Sequence, residues 1–280
     1  STLLLYCLIS QKNVIFCVMQ FIEKFHECLT EKQTFLCIGI DPDPGKLPSG
    51  FAANVDGIYH FVKEIIAATG AYTPAYKFNL AFFEMWGSRG WQMLEKLLSE
   101  VPQNILLIGD AKRGDIGNSA KFYAKALFEA LPFHAVTLSP YLGTESILPF
   151  IADESHGAFV LCVTSNPSGR EIQDFGGNQH LYLKVAEIVQ QLNQRRNLGL
   201  VMGATKSEQL LSVRQKFPNL PFLIPGVGAQ GGEIAAAVQV CRTCGVGLIN
   251  VSRAVLFPDK GKFPENVAKT AAYYQEKFKF

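Results

Sequence analysis

The chain has 280 residues, 48% of them hydrophobic and 18% charged, a balance that can bury a large core and excludes a disordered polypeptide. Lys and Arg total 26 against 24 Asp and Glu, a net charge of +2 without any block of like charge. That excludes the basic stripe of a nucleic-acid or membrane-surface binder and leaves any anionic ligand small and locally held.

Residues 1–18 are oily but broken by Gln11, Lys12 and Asn13, and do not begin with Met. They lack the charged start and small-residue cleavage site of a signal peptide, and no apolar run reaches the ~18 to 20 residues that span a bilayer. They are expected to be extra translated sequence, a cloning remnant or the edge of a longer polypeptide, with 19–280 as a single domain. Met19 opens the first amphipathic segment. From there short apolar or β-branched runs alternate with longer segments of helical period, as parallel βα units do. Eight strands are predicted: Phe35 to Asp41, Ala71 to Phe78, Ile105 to Asp110 and Ala135 to Ser139 in the first half. Ala158 to Thr164, Gly199 to Gly203, Phe222 to Pro225 and Gly247 to Val251 follow in the second. Helices are predicted over Val55 to Thr69, Trp91 to Glu100, Asn118 to Leu131, Leu181 to Arg195, Ser207 to Phe217 and Pro264 to Lys279. Ser207 suits a helix start because its oxygen can accept a free N–H, and Pro264 because it has no N–H to leave unpaired. Eight such units in about 250 residues point to a closed (β/α)8 barrel of the α/β class, with an open doubly wound sheet as the alternative.

The seven cysteines are odd in number and lack the paired spacing of a disulfide framework, which fits reduced thiols and a cytoplasmic setting. Cys241 and Cys244 have the spacing of half a zinc site, but no second pair follows and they read as ordinary thiols. The five histidines fall in predicted helices, loops or strand starts and read as structural or exposed. No zinc-protease pattern or nucleophile elbow is present.

Active sites of such barrels lie at the C-terminal strand ends, and these ends are polar here: Asp41, Lys77, Asn79, Asp110, Lys112, Thr164, Ser165 and Arg253. The densest group is Asp110-Ala111-Lys112-Arg113-Gly114-Asp115-Ile116. Asp110 and Lys112 project to one side while the backbone stays extended, and two carboxylates beside one ammonium favour a protonated Lys112 able to act as an acid. The competing interpretation is a surface ion-pair cluster leading into a helix. After strand 7 the run Pro225 to Gly232 is rich in glycine, which lets backbone N–H groups approach an anion, and Arg253 after strand 8 could clamp a phosphate. It is not a dinucleotide fingerprint, since no suitable βαβ unit with an acidic partner follows.

Taken in order, Gly39-Ile40-Asp41-Pro42-Asp43, Tyr76-Lys77-Phe78-Asn79, Asp110 to Ile116, Thr164-Ser165-Asn166-Pro167, Pro225 to Gly232 and Ser252-Arg253 resemble the orotidine 5'-phosphate decarboxylase family, in its longer variety. The Asp-x-Lys-x-x-Asp motif alone is shared with other phosphosugar barrels; the ordered set is far more specific. The resemblance implies a catalytic tetrad of Lys77, Asp110, Lys112 and Asp115, with Lys112 protonating C6 and Asp115 crossing a homodimer interface into the partner's site. It implies that Asp41 and Lys77 hold ribose hydroxyls beside Asn79, that Ile116 and Ser119 reach over from the other subunit, and that Ser165 reads the pyrimidine edge. Thr164 and Pro225 are further substrate-binding positions, and Gln230 and Arg253 grip the phosphate. It implies a nucleotide substrate, no cofactor and no metal, no nucleic-acid or membrane partner, and leaves room for fusion to a phosphoribosyltransferase. The rival readings are a metal-dependent phosphosugar decarboxylase or aldolase of the same superfamily, and a phosphate-ligand binding barrel without turnover.

Overall fold

Strands that are apolar along their whole length must be covered on both faces, and parallel strands joined by helices achieve this. The computed structural model describes residues 19–177, 179–227, 231–244 and 246–280. The proposed leader at 1–18 lies outside them. The strands are β1 (Leu36–Ile40), β2 (Ala75–Asn79), β3 (Leu106–Arg113), β4 (Ala135–Leu138), β5 (Gly157–Val163), β6 (Leu198–Met202), β7 (Phe222–Ile224) and β8 (Gly247–Val251). Each pairs in parallel with the next, and β8 returns to β1 through Leu36↔Ile249, Cys37↔Asn250 and Ile38↔Val251, closing the barrel. The closed order settles the (β/α)8 barrel over the open doubly wound sheet.

The helices are α1 (Phe21–Lys32), α2 (Val55–Thr69), α3 (Ala81–Glu84), α4 (Ser88–Glu100), α5 (Gly117–Lys125) and α6 (Arg170–Gln173). They continue as α7 (Leu181–Leu192), α8 (Ser207–Lys216), α9 (Gly231–Cys244), α10 (Arg253–Leu256) and α11 (Glu265–Lys277). Asn54 caps α2 by accepting the Gly57 N–H at 2.9 Å, which fixes the predicted start at Val55. Helix α1 closes the N-terminal end of the barrel. Its Phe21 N–H donates to Glu154 O at 2.8 Å, and the Phe21 ring lies so near Gly157 that an added Cβ would sit 2.5 Å from it. At this closed end the residue before β1 also meets the residue after α11, with the Phe35 N–H on Phe278 O at 3.0 Å.

Several boundaries differ from the sequence expectation. Strand β2 begins at Ala75, not Ala71, because the Thr73 hydroxyl bonds Leu36 O and Ala75 O and Pro74 has no N–H for a ladder. Strand β3 runs past Asp110 to Arg113. The long helix drawn over Asn118 to Leu131 stops at Lys125 and continues as a π turn, Ala126–Ala130. The one drawn to Arg195 stops at Leu192 before a 3-10 turn. Ser207 is the first residue of α8 and not its cap, since Leu210 already bonds back to Lys206 O, and Pro264 sits one place before α11. Cys28, Cys37 and Cys162 are buried and unbridged. Among the described residues no helix is long and apolar enough to cross a membrane.

His134 ties β3 to β4 at the closed end. Its Nδ1 accepts the Leu107 N–H at 2.9 Å, and its own N–H donates to Leu107 O at 2.9 Å. Burial, assisted by Lys24, pushes the imidazole down to about 4. The neutral ring is therefore favoured in the fold, and its contribution is complete above the ordinary value near 6.5 and lost as pH falls from there through about 4. Chemical-denaturation midpoints measured between pH 7 and 4 are expected to fall with acidification, and His134→Gln to flatten that slope.

Candidate active site

The centre of the site is made by an irregularity in β3. Its pairing with β4 is regular to Gly109↔Val136 and resumes at Arg113↔Leu138, so Asp110, Ala111 and Lys112 together face only Thr137. The surplus length is absorbed at Lys112, whose φ of 47 lies in the left-handed region that a non-glycine residue adopts at a cost of about 1–3 kcal/mol. The backbone is thus not extended at Lys112 as the sequence reading supposed, yet the Lys112 and Asp110 side chains do meet.

Asp110 lies between two ammonium groups. Lys77 Nζ is 2.7 Å from its Oδ2 and Lys112 Nζ is 2.6 Å from its Oδ1. The side chains of Lys77 and Asp110 are 6% and 11% exposed, whereas that of Lys112 is 50% exposed, so the first two are locked in the wall and the third reaches into open space. Burial works against charge on Lys77, but Asp110 and then Asp41 outweigh it and hold its pKa above the ordinary lysine value. Burial likewise opposes charge on Asp110, and Lys77 and Lys112 reverse this, holding the carboxyl well below the usual range. Beside them, burial pushes the Cys37 thiol up to about 12, and it stays a neutral donor to Asn250 Oδ1.

The Thr137 hydroxyl completes the arrangement, donating to Asp110 Oδ1 at 2.9 Å and accepting the Lys112 N–H at 3.0 Å. A cavity of about 250 Å³ opens over these groups. Lys77, Asp110, Lys112 and Thr137 form one wall, Thr164, Ser165 and Asn166 another, and Leu161, Val201, Leu223 and Pro225 supply an apolar face. Such a mixture of charge and apolar surface suits a flat ligand with one reactive edge.

The sequence matches the orotidine 5'-phosphate decarboxylase / HUMPS family over residues 34–262. The chain belongs to that family. It is 42% identical over 261 residues to an orotidine 5'-phosphate decarboxylase of Dehalococcoides mccartyi, covering 90% of this chain and 95% of the relative. It is 42% identical over 256 residues to one of Herpetosiphon aurantiacus, with the same coverage. Among solved structures it resembles Leishmania donovani OMP decarboxylase, at 35% identity and a TM-score of 0.81, over 93% of this chain and 98% of that one. It also resembles the UMP synthase of the same organism, at 37% identity and a TM-score of 0.82, over 94% of this chain but 57% of that one.

Of the positions singled out for this family, the fold brings Lys77, Asp110, Lys112, Thr164, Ser165 and Pro225 around one cavity. Asp41 stands beside it at the end of β1, close enough to bear on Lys77, with its Oδ1 buried and unpartnered. In the same strand Gly39 lets β1 lie close to the end of β8, since a Cβ there would sit 2.8 Å from that of Ser252. Asn79 is turned elsewhere, its Oδ1 accepting the Ala81 N–H at the start of α3. Asp115, Ile116 and Ser119 do not line the cavity of their own chain: Asp115 accepts the Ile116 N–H at 2.8 Å, and Ile116 and Ser119 are exposed. Arg253 is exposed on the rim as the first residue of α10, and Gln230 lies outside the described residues.

The sequence reading missed Thr137, Leu161, Asn166, Val201 and Leu223, all lining residues. It also missed Gln173, whose amide accepts the Thr164 N–H at 3.0 Å and donates to the Thr164 hydroxyl at 2.7 Å, fixing that rim. Thr137 had a usable signal, a lone hydroxyl inside the run Ala135 to Leu138; Gln173 had none, because only the tertiary fold returns α6 to β5. Asp110→Asn leaves Lys77 buried without its counter-charge and is expected to cost about 3–5 kcal/mol, read as a lowered denaturation midpoint, while the exposed Lys112→Ala costs under about 1 kcal/mol.

Proposed function

We propose that this protein decarboxylates orotidine 5'-phosphate to uridine 5'-phosphate, with Lys112 as the proton donor to C6, as a cofactor-free cytoplasmic homodimer. The observation that carries the reading is an exposed ammonium bonded to a largely buried carboxylate in a cavity wall, in a chain 42% identical to curated orotidine 5'-phosphate decarboxylases. When the bond to the carboxylate carbon breaks, carbon dioxide leaves and the electron pair stays on C6. The Lys112 ammonium faces that pair, stabilises it more than it stabilises the substrate, and donates its proton; the neutral amine regains one from solvent. Asp110 holds the ammonium in place and raises the energy of the substrate carboxylate beside it, a cost that remote phosphate binding can offset.

Several features support the remaining roles. Ser165 lines the same cavity as the ion pairs, which supports a role in reading the pyrimidine edge. The β7 exit turns at Gly226, φ +86, next to Ser165, and Gly231 and Arg253 open α9 and α10, which supports a phosphate-binding role for this rim; Gln230 is assigned to that role on the family pattern alone. Asp41 and Lys77 serve the ribose hydroxyls, the unpartnered Asp41 oxygen being a ready acceptor. Both oxygens of Asp110 are already held by ammonium groups, an arrangement suited to fixed-charge catalysis more than to binding a divalent metal. Buried, unbridged thiols at Cys28, Cys37 and Cys162 suit a reducing cytoplasm.

The dimer is favoured by apolar groups exposed around Asp115. Ile116 is 50% and Phe122 70% exposed, Tyr141 follows β4 at 83%, and α5 packs on the turn carrying exposed Leu148. A surface of this kind calls for cover, and covering it with a second copy brings Asp115, Ile116 and Ser119 towards another chain.

Three measurements test the reading. The ultraviolet absorbance change of orotidine 5'-phosphate is expected at full rate in excess EDTA; metal dependence would favour a phosphosugar decarboxylase or aldolase, and an inert protein the binding barrel. Lys112→Ala is expected to lose at least about a thousandfold in kcat while binding uridine 5'-phosphate. Lys112→Ala and Asp115→Ala, each inactive alone, are expected to recover activity when their subunits are mixed, because one site per mixed dimer then holds both native residues.

A further inference from the structure

We infer that Thr137 is a positioning residue for the proton donor, acting through its hydroxyl on both ends of Lys112. The inference rests on the assignment of Lys112 as that donor. Three contacts form a closed circuit. The Lys112 N–H donates to Thr137 Oγ1 at 3.0 Å, Thr137 Oγ1 donates to Asp110 Oδ1 at 2.9 Å, and the same Oδ1 receives Lys112 Nζ at 2.6 Å. Lys112 is thereby held at its backbone and at its tip by groups that also hold each other.

The pairing register explains why a side chain is needed. Between Gly109↔Val136 and Arg113↔Leu138, three residues of β3 face one of β4, so the ladder has no carbonyl in register for the Lys112 N–H. The Thr137 oxygen takes that place. Lys112 meanwhile has φ 47, a conformation that persists only where its surroundings impose it. Thr137 itself is 1% exposed, so water has little access to replace the hydroxyl, and its β-branched body suits the strand. The single hydroxyl hydrogen is committed to Asp110, which leaves an oxygen lone pair for Lys112 and makes the two bonds mutually dependent.

Valine keeps the shape and removes both bonds, and serine keeps both bonds and removes a methyl group. In the full chain, Thr137→Val is expected to lower kcat on orotidine 5'-phosphate about 10- to 100-fold, the range associated with a misplaced reacting group, while the Kd for uridine 5'-phosphate changes by less than about threefold. Thr137→Ser is expected to return kcat to within about threefold of wild type. If Thr137→Val does not fold, Thr137→Ala replaces it, with Ser exceeding Ala by at least about tenfold in kcat. A wild-type kcat without the hydroxyl overturns the inference. So does a loss of kcat and nucleotide affinity together that Ser does not rescue, which marks a packing role. Lys112→Ala in the same assay separates the two levels: turnover by that variant removes the donor assignment and this inference with it, whereas an inactive Lys112→Ala beside an unimpaired Thr137→Val removes this inference alone.

Discussion

Two ammonium groups clasp one carboxylate at the mouth of a barrel whose core is mostly apolar. Taking those charges from water is expensive, and the expense is met only because each oxygen of Asp110 has its own cation at 2.6 or 2.7 Å and the Thr137 hydroxyl in addition. The three charges differ in exposure, and that difference divides the labour. Lys77 and Asp110 are fixed in the wall, while Lys112 borrows their field and faces the cavity. A charge held in this way would need little rearrangement if, as proposed, a carbanion forms beside it.

The barrel supplies the rigidity. Strands β2, β3 and β4 are neighbours, so Lys77, the Asp110–Lys112 segment and Thr137 are brought together by adjacent ladders and not by a flexible loop. Within that frame β3 departs once from regular pairing, at the residue whose side chain must turn towards the cavity. A regular ladder would have carried Lys112 through with its N–H bonded to β4 and its direction set by strand alternation. The bulge frees the direction, and the hydroxyl of Thr137 restores the bond.

Chemistry and assembly also share a segment. In this proposal the chain runs within a few positions from the proton donor Lys112 through Asp115 to exposed Ile116 and, on α5, exposed Phe122. In the proposed dimer, covering apolar surface and completing the carboxylate set are therefore one event, and the isolated subunit is left with a site that lacks its second acid.

The alternation of apolar runs with helical segments determined by itself a parallel α/β fold of eight units, because parallel strands buried on both faces leave a continuous hydrophobic signature; that the sheet closes into a barrel was decided by the pairing of β8 with β1. The polar strand ends likewise marked Lys77, Asp110, Lys112, Thr164 and Ser165, which the fold gathers around one cavity; any one alone reads equally well as a loop cap, and the signal was their shared end of the barrel. Boundaries such as the start of β2 or the break after Lys125 were not legible, being set by a Thr73 side-chain bond and by local helix widening. Nor could the sequence show that Asn79 turns to α3, that Gln173 returns to clamp Thr164, or that Lys112 leaves the extended conformation. The first two depend on how the chain turns after β2 and β5, and the third on which group of β4 lies opposite Lys112 across the ladder, none of which composition or spacing reveals.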